Sequence, residues 1–427
     1  MKPSGPRVPD PKAPPTDPDR GPAARWRLGQ VFAAALGSVD GRVAVRRALG
    51  AAAPPDRVWL IAIGKAAAAM TQGALDCLGP RLLGGLVVDK APPPASFAAH
   101  GLAALTGGHP LPTLVSLRAG EALLAVLART PPDATLLFLI SGGASSLVEV
   151  PVVGLALAEL ERLNRWLLGS GLPIGPMNLV RTAVSRIKGG GLLATLPPRP
   201  LRVLAISDVP GDDPRVIGSG LLVPRPDLEA ALVGLALPPW LREWVDLGLA
   251  QRWAGSHPGP PIELVATLDT AKEAAAQAAR AAGLAVRVHP RFLAGDAAGQ
   301  GRELARQVRE GPPGLQIWGG ETTVRLPAQP GRGGRNQHLA LAAAQELAGC
   351  RDCLLLAAGT DGSDGPGEDA GALVDGGTLE RGARAGFDAA DALARADSGR
   401  LLAATGDLIH TGPTGTNVMD LVLGLRW

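Results

Sequence analysis

Short continuous apolar runs alternate along this chain with longer stretches of helical apolar spacing. The runs are 58–63, 86–88, 135–140, 201–206, 262–265, 285–288, 317–320 and 353–358, with a last one after Asn417. Short runs of this kind predict strands, and an unbroken one such as 58–63 predicts a strand buried on both faces. Between them, spacing of three and four predicts helices over 23–49, 66–78, a segment ending near Ala128, 178–193, and segments beginning at Thr270 and near Leu339. Strands alternating with helices predict an α/β fold with a parallel sheet and ligand sites at the strand C-termini.

Residues 1–22 are rich in Pro, Asp and Arg with few large apolar side chains. They predict a disordered tail. The 427 residues exceed one ordinary domain. Prolines cluster between 222 and 261, which places the expected division there, as an N-terminal domain over 23–258 and a C-terminal domain over 259–427.

Composition removes several function classes. Apolar residues make up 46% and aromatics 3%, with a net charge of +3 and no basic block, so a nucleic-acid partner is not expected. Cys77, Cys350 and Cys353 form no disulfide framework or zinc spacing. No apolar stretch reaches the ~18 residues of a membrane span. A cytoplasmic protein without a membrane partner is the expectation.

The candidate chemistry sits where the runs end. Val58–Ile63 leads into Gly64-Lys65 and a helix, a geometry suited to an anion, although the P-loop pattern is absent. The run 135–140 ends in Ser141-Gly142-Gly143, whose backbone N–H groups can cradle an anion. Arg181, Ser185 and Lys188 fall on one face of the expected helix. Asp208, Asp212 and Asp213 crowd one strand-end loop and suit a hard cation such as Mg²⁺; turn-forming aspartates give the same pattern. In the second half, Gly319-Gly320-Glu321 and a β-branched run over 322–326 precede Gly333-Gly334-Arg335-Asn336-Gln337, where a helix begins. That stretch reads as an anion loop or as a hairpin with a Gly-rich turn.

Taken in order, these motifs resemble the glycerate 2-kinase family, whose C-terminal domain carries the name MOFRL. The matching segments are Ile63-Gly64-Lys65-Ala66, Gly107-Gly108-His109-Pro110, Ile140-Ser141-Gly142-Gly143, Arg186-Ile187-Lys188-Gly189-Gly190 and Ser207-Asp208-Val209-Pro210-Gly211-Asp212. They continue with Gly319-Gly320-Glu321, Gly333-Gly334-Arg335-Asn336-Gln337, Gly359-Thr360-Asp361-Gly362 and the run from Thr411 to Asn417. The chain departs from the family pattern at Ala144, Thr182, Leu268 and His338.

The resemblance implies a larger Rossmann-like N-terminal domain, a smaller α/β MOFRL domain and an active site in the interdomain cleft. It implies transfer of the ATP γ-phosphoryl to the 2-hydroxyl of D-glycerate, with Mg²⁺ as cofactor and a homodimer as a possible assembly. Lys65 corresponds to the family's catalytic lysine, and Asp208 and Arg335 to its functional aspartate and arginine. Candidate substrate or phosphate contacts are His109, Ser141, Gly142, Gly143, Arg181, Lys188, Glu321, Asn336 and Thr414. Candidate metal ligands are Asp208, Asp212, Asp361 and Asp364. Two alternatives stand beside this reading: a hydroxypyruvate reductase, which should carry a Gly-x-Gly-x-x-Gly turn that is absent, and a non-catalytic phosphosugar- or nucleotide-sensing protein.

Overall fold

The computed structural model describes residues 20–52, 56–252 and 259–427. Most of the expected tail lies outside them, as does Pro258 of the Pro-rich segment. The chain divides into two compact units, one from Gly41 to Val265 and the other joining the N-terminal helix to Ala266–Trp427.

The N-terminal unit is built on one six-stranded sheet. Its strands are β1 (Val58–Ile63), β2 (Leu82–Asp89), β3 (Leu102–Thr106), β4 (Thr135–Ile140), β5 (Leu201–Ile206) and β6 (Ile262–Ala266), in the order β3-β2-β1-β4-β5-β6. β1 pairs in parallel with both β2 and β4, β2 with β3, and β4 with β5. This is the doubly wound order, in which the chain reverses direction across the sheet between β1 and β4. All six residues of β4 are buried, as its unbroken apolar run requires.

Two expectations about the division are corrected. The run 262–265 falls in the expected C-terminal domain, yet β6 is the edge strand of the N-terminal sheet. The helix expected over 23–49 breaks at Asp40, and its first part, α1 (Arg20–Val39), belongs with the C-terminal unit. Ion pairing explains the second correction. Arg25 donates to the Leu373 carbonyl at 2.9 Å and to buried Asp407 at 2.6 Å, and also pairs with Asp375.

The second sheet holds β7 (Val286–Leu293), β8 (Gly314–Gly320), β9 (Cys353–Gly359), β10 (Gly371–Asp375), β11 (Leu408–Ile409) and β12 (Asp420–Arg426), in the order β11-β10-β9-β12-β8-β7. It is mixed: β7 and β8 run parallel, and β12 lies antiparallel between β8 and β9. The hairpin alternative for 317–338 fails, because β8 takes β12 and β7 as neighbours and residues 322–326 form no strand beyond one bridge at Thr323.

Candidate active site

In the N-terminal unit the turns after β1 and β4 are laced together. Lys65 N–H donates to the Gly142 carbonyl at 2.9 Å, Ser141 N–H to the Ile63 carbonyl at 3.0 Å, and Ala66 N–H to Ser141 Oγ at 3.0 Å. Gly64 makes this possible: its φ is +136°, and a Cβ there would overlap the Ser141 hydroxyl and carbonyl. A Cβ at Gly143 would stand 3.2 Å from Lys65 Cγ and 3.5 Å from His109 Nε2. The expected residues Lys65, His109, Ser141, Gly142 and Gly143 therefore converge. The His109–Pro110 peptide is cis. Its loop is held by Gly107 N–H on the Asp89 carbonyl at 3.0 Å and Gly108 N–H on Ser116 Oγ at 3.0 Å.

One part of the expected chemistry is corrected. The helix α2 (Ala67–Leu78) does not offer its N-terminus to an anion, because the first donors are spent. Ala66 N–H goes to Ser141, Ala67 N–H to the Gly64 carbonyl at 3.1 Å, and Ala68 N–H to Asp89 Oδ2 at 2.9 Å. The open donors are Gly142 N–H and Gly143 N–H, which meet no acceptor among the described residues. Asp89 is buried at the end of β2, and desolvation raises its pKa against three backbone N–H groups.

Arg181 and Lys188 are not held out to a ligand. The helix α3 (Ile174–Ala183) stops before Ser185, which forms a bridge with Pro151, so the shared face does not exist. Lys188 is buried in an ion pair with buried Glu149, whose other oxygen accepts from Ser185 Oγ at 2.6 Å. Arg181 donates to Asn164 at 2.9 Å and Asn178 at 3.2 Å; burial lowers its pKa and Glu149 opposes that.

Asp208 is partly buried beyond β5, after buried Ser207. Asp212 occupies a turn at φ +54°, and Asp213 grips Arg215 through both oxygens. Within neither unit do the proposed metal ligands assemble a cation site: among the described residues of each, no three His, Cys, Asp or Glu side chains come together to hold a metal ion. Two of them are committed elsewhere. Asp361 Oδ1 accepts from Ser363 N–H and Oγ at 3.0 and 2.9 Å. Asp364 accepts Asn336 N–H at 3.0 Å and Gln337 N–H at 2.8 Å, capping α4 (Arg335–Leu347). Burial lifts the Asp364 pKa to about 7.

The C-terminal unit centres on Arg335, the first residue of α4. Asp420 opens β12 and takes its Nε at 2.6 Å and Nη2 at 3.0 Å; Glu321, directly after β8, takes Nη1 at 2.6 Å. Burial works against the guanidinium charge, but Asp420 and Glu321 more than offset it, and its pKa lies above the ordinary arginine value. Asp420 is buried, while Glu321 is 43% exposed. Arg335 is thus fixed on one edge and exchangeable on the other. Thr414 pins the loop, donating to the Thr360 carbonyl at 2.6 Å, and Asn336 is buried beside Asp364. His338, a departure from the family pattern, is buried with Nδ1 unpartnered; burial lowers its pKa.

Sequence reasoning missed Asp89, Glu149 and Asp420. Each carried one signal, a lone carboxylate inside or at the end of an apolar run.

Comparisons with known proteins bear on both units. A family model described as a domain of unknown function, DUF4147, matches residues 27–235, and the MOFRL family model matches 314–420. The chain is 35% identical to the D-glycerate 2-kinase of Thermotoga maritima, over 87% of this chain and 91% of that protein. It is 32% identical to the glycerate 2-kinase of Pyrococcus horikoshii, over 86% and 87%. A protein of Agrobacterium vitis named as a hydroxypyruvate reductase is 38% identical over 93% and 94%. The crystal structure of the Thermotoga maritima glycerate kinase superposes with a TM-score of 0.82 at 33% identity, covering 94% of this chain and 99% of that one.

Proposed function

The chain belongs to the glycerate kinase family with a MOFRL domain, and on that premise we propose that it transfers the γ-phosphoryl group of ATP to the 2-hydroxyl of D-glycerate, giving 2-phosphoglycerate. The observation that carries this is the cradle at the switch point of the N-terminal sheet. There Lys65 and the open N–H groups of Gly142 and Gly143 meet His109.

Phosphoryl transfer needs positioning and charge stabilisation more than covalent chemistry. The two glycine N–H groups and the Lys65 ammonium supply donors to non-bridging phosphoryl oxygens. His109 borders the same space. Asp208 orients the 2-hydroxyl or accepts its proton. In the C-terminal unit, Asp420 holds the Arg335 fork in one orientation, and the exposed Glu321 can yield Nη1 to a phosphate or carboxylate oxygen. No step is assigned to a protein-held cation: within each unit the carboxylates expected to hold one do not gather.

The rival reading as a hydroxypyruvate reductase finds no support at the β1 turn. It lacks the glycine pattern, and Ser141, Gly64 and Asp89 already take the first N–H groups of α2, where a dinucleotide pyrophosphate would bind. Kinetics on Lys65→Ala and Arg335→Ala test the assignment. Each should lose at least ~2 kcal/mol of transition-state stabilisation, or ~30-fold in rate. Unchanged turnover in a folded variant would end it.

A further inference from the structure

The Arg186-Ile187-Lys188-Gly189-Gly190 motif has no part in the site above, since Lys188 is consumed by Glu149. Its other residues, Arg186, Ile187, Gly189 and Gly190, line instead a cavity of about 290 Å³ within the N-terminal unit, shared with Ser185, Arg225, Gln251 and Arg252. Three arginines thus line one hollow; Arg225 is paired with Asp227, and neither Arg186 nor Arg252 meets a carboxylate among the described residues.

Arg252 donates to the Thr182 carbonyl at 3.2 Å and the Gly189 carbonyl at 2.6 Å, and hydrogen-bonds to no carboxylate among the described residues. Burial accordingly lowers its pKa. Arg225 Nε is withdrawn from solvent and makes no hydrogen bond, although the Asp227 carboxylate lies 3.7 Å away. Arg186 is exposed. Gly189 admits the cluster: a Cβ there would stand 2.8 Å from Arg252 Nη2 and 3.6 Å from Arg225 Cβ. Arg252 is thus a desolvated guanidinium held only by carbonyls, and an anion in the cavity would balance its charge.

We propose that this cavity is a second anion site, separate from the Lys65 cradle, and that it takes a compact phosphate-bearing metabolite. Guanidinium forks match tetrahedral oxyanions through paired hydrogen bonds. The volume is near the lower end of small-molecule sites, roughly 300 Å³, which suits a small phosphate ester and not a nucleotide. The site is also connected to the cradle. Gly189 N–H and Gly190 N–H donate to the Ser219 and Gly220 carbonyls at 2.9 and 2.7 Å, and Ser219 Oγ meets Ser145 Oγ at 2.7 Å in the turn after β4. An occupant gripping the motif therefore acts on the segment that carries Gly142 and Gly143.

The test is calorimetric titration of inorganic phosphate into the wild-type protein, the Arg186→Gln/Arg225→Gln double variant and Lys65→Ala. Because it reads binding and not turnover, its outcome is independent of the substrate proposed above. The wild type should bind one phosphate saturably that the double variant binds at least about tenfold more weakly, and Lys65→Ala should retain that arginine-dependent site whatever it loses at the cradle. Absence of saturable binding, unchanged affinity in the double variant, or loss of that site in Lys65→Ala would each overturn the proposal. Should the double variant not fold, phenylglyoxal labelling of the wild type decides. Phosphate should slow modification of Arg186, and an unprotected Arg186 refutes the site.

Discussion

Arg335 and Asp420 are joined by two parallel hydrogen bonds, at 2.6 and 3.0 Å, between the first residue of a helix and the first residue of a central strand. The pair aims the guanidinium before any ligand arrives, since the carboxylate is buried and cannot swing away. Asp420→Asn should keep the side-chain volume and lose the charge-assisted fork. We expect kcat/KM to fall about tenfold to a hundredfold and stability to fall by about 2 kcal/mol, the latter discounted because Arg335 is about one-third exposed. Steady-state kinetics with urea denaturation checks both.

Lys188 and Glu149 form a buried pair, so removing one partner leaves an uncompensated charge. Lys188→Met should cost about 3–5 kcal/mol, and Glu149→Gln/Lys188→Met should recover part of it. Chemical denaturation of the single and double variants measures the coupling. A double variant that folds stably should also keep its KM for glycerate, because Lys188 faces Glu149 and not a ligand.

The turn at Gly64 tolerates no side chain. Gly64→Ala should drive a methyl group into Ser141, open the lacing between the β1 and β4 turns, and lower kcat/KM by more than about a hundredfold, with a stability loss of at least ~2 kcal/mol. Circular dichroism alongside turnover separates the two effects.

Asp364 gives a pH signature. Its folded pKa of about 7 lies above the ordinary value of 3.8. Between those values the folded protein therefore holds a proton that the unfolded chain has released. Its contribution is fully present below the unfolded pKa and is lost as pH rises through the folded one. The stability of the wild type relative to Asp364→Asn should accordingly rise as pH falls from about 7 to about 4, by an amount on the order of a few kcal/mol. Thermal melts of both proteins across that window test the sign.

The parallel sheet was readable because the apolar runs 58–63 and 135–140 are β1 and β4, the strands flanking the switch point. Lys65 and the Ser141–Gly143 turn were readable for the same reason, as they end those runs. The short strands β3 and β11 were not, since 102–106 reads Leu-Ala-Ala-Leu-Thr, as much helix-like as strand-like, and 408–409 is only two residues long. Ownership of α1 was also hidden, because it rests on Arg25 reaching carboxylates some 350 residues away. Local spacing likewise could not reveal which charges are spent internally. Lys188, Arg181, Asp361 and Asp364 look like ligand contacts in one dimension and prove to be partners of Glu149, Asn164, Ser363 and the start of α4.

The most direct measurement of the central claim is product identification. The purified protein is incubated with ATP and D-glycerate, and the phosphorylated acid is resolved by phosphorus NMR. ATP-dependent formation of 2-phosphoglycerate is expected, and it should be lost in Lys65→Ala. Formation of 3-phosphoglycerate, or oxidation of NADH with hydroxypyruvate in place of phosphoryl transfer, would contradict it.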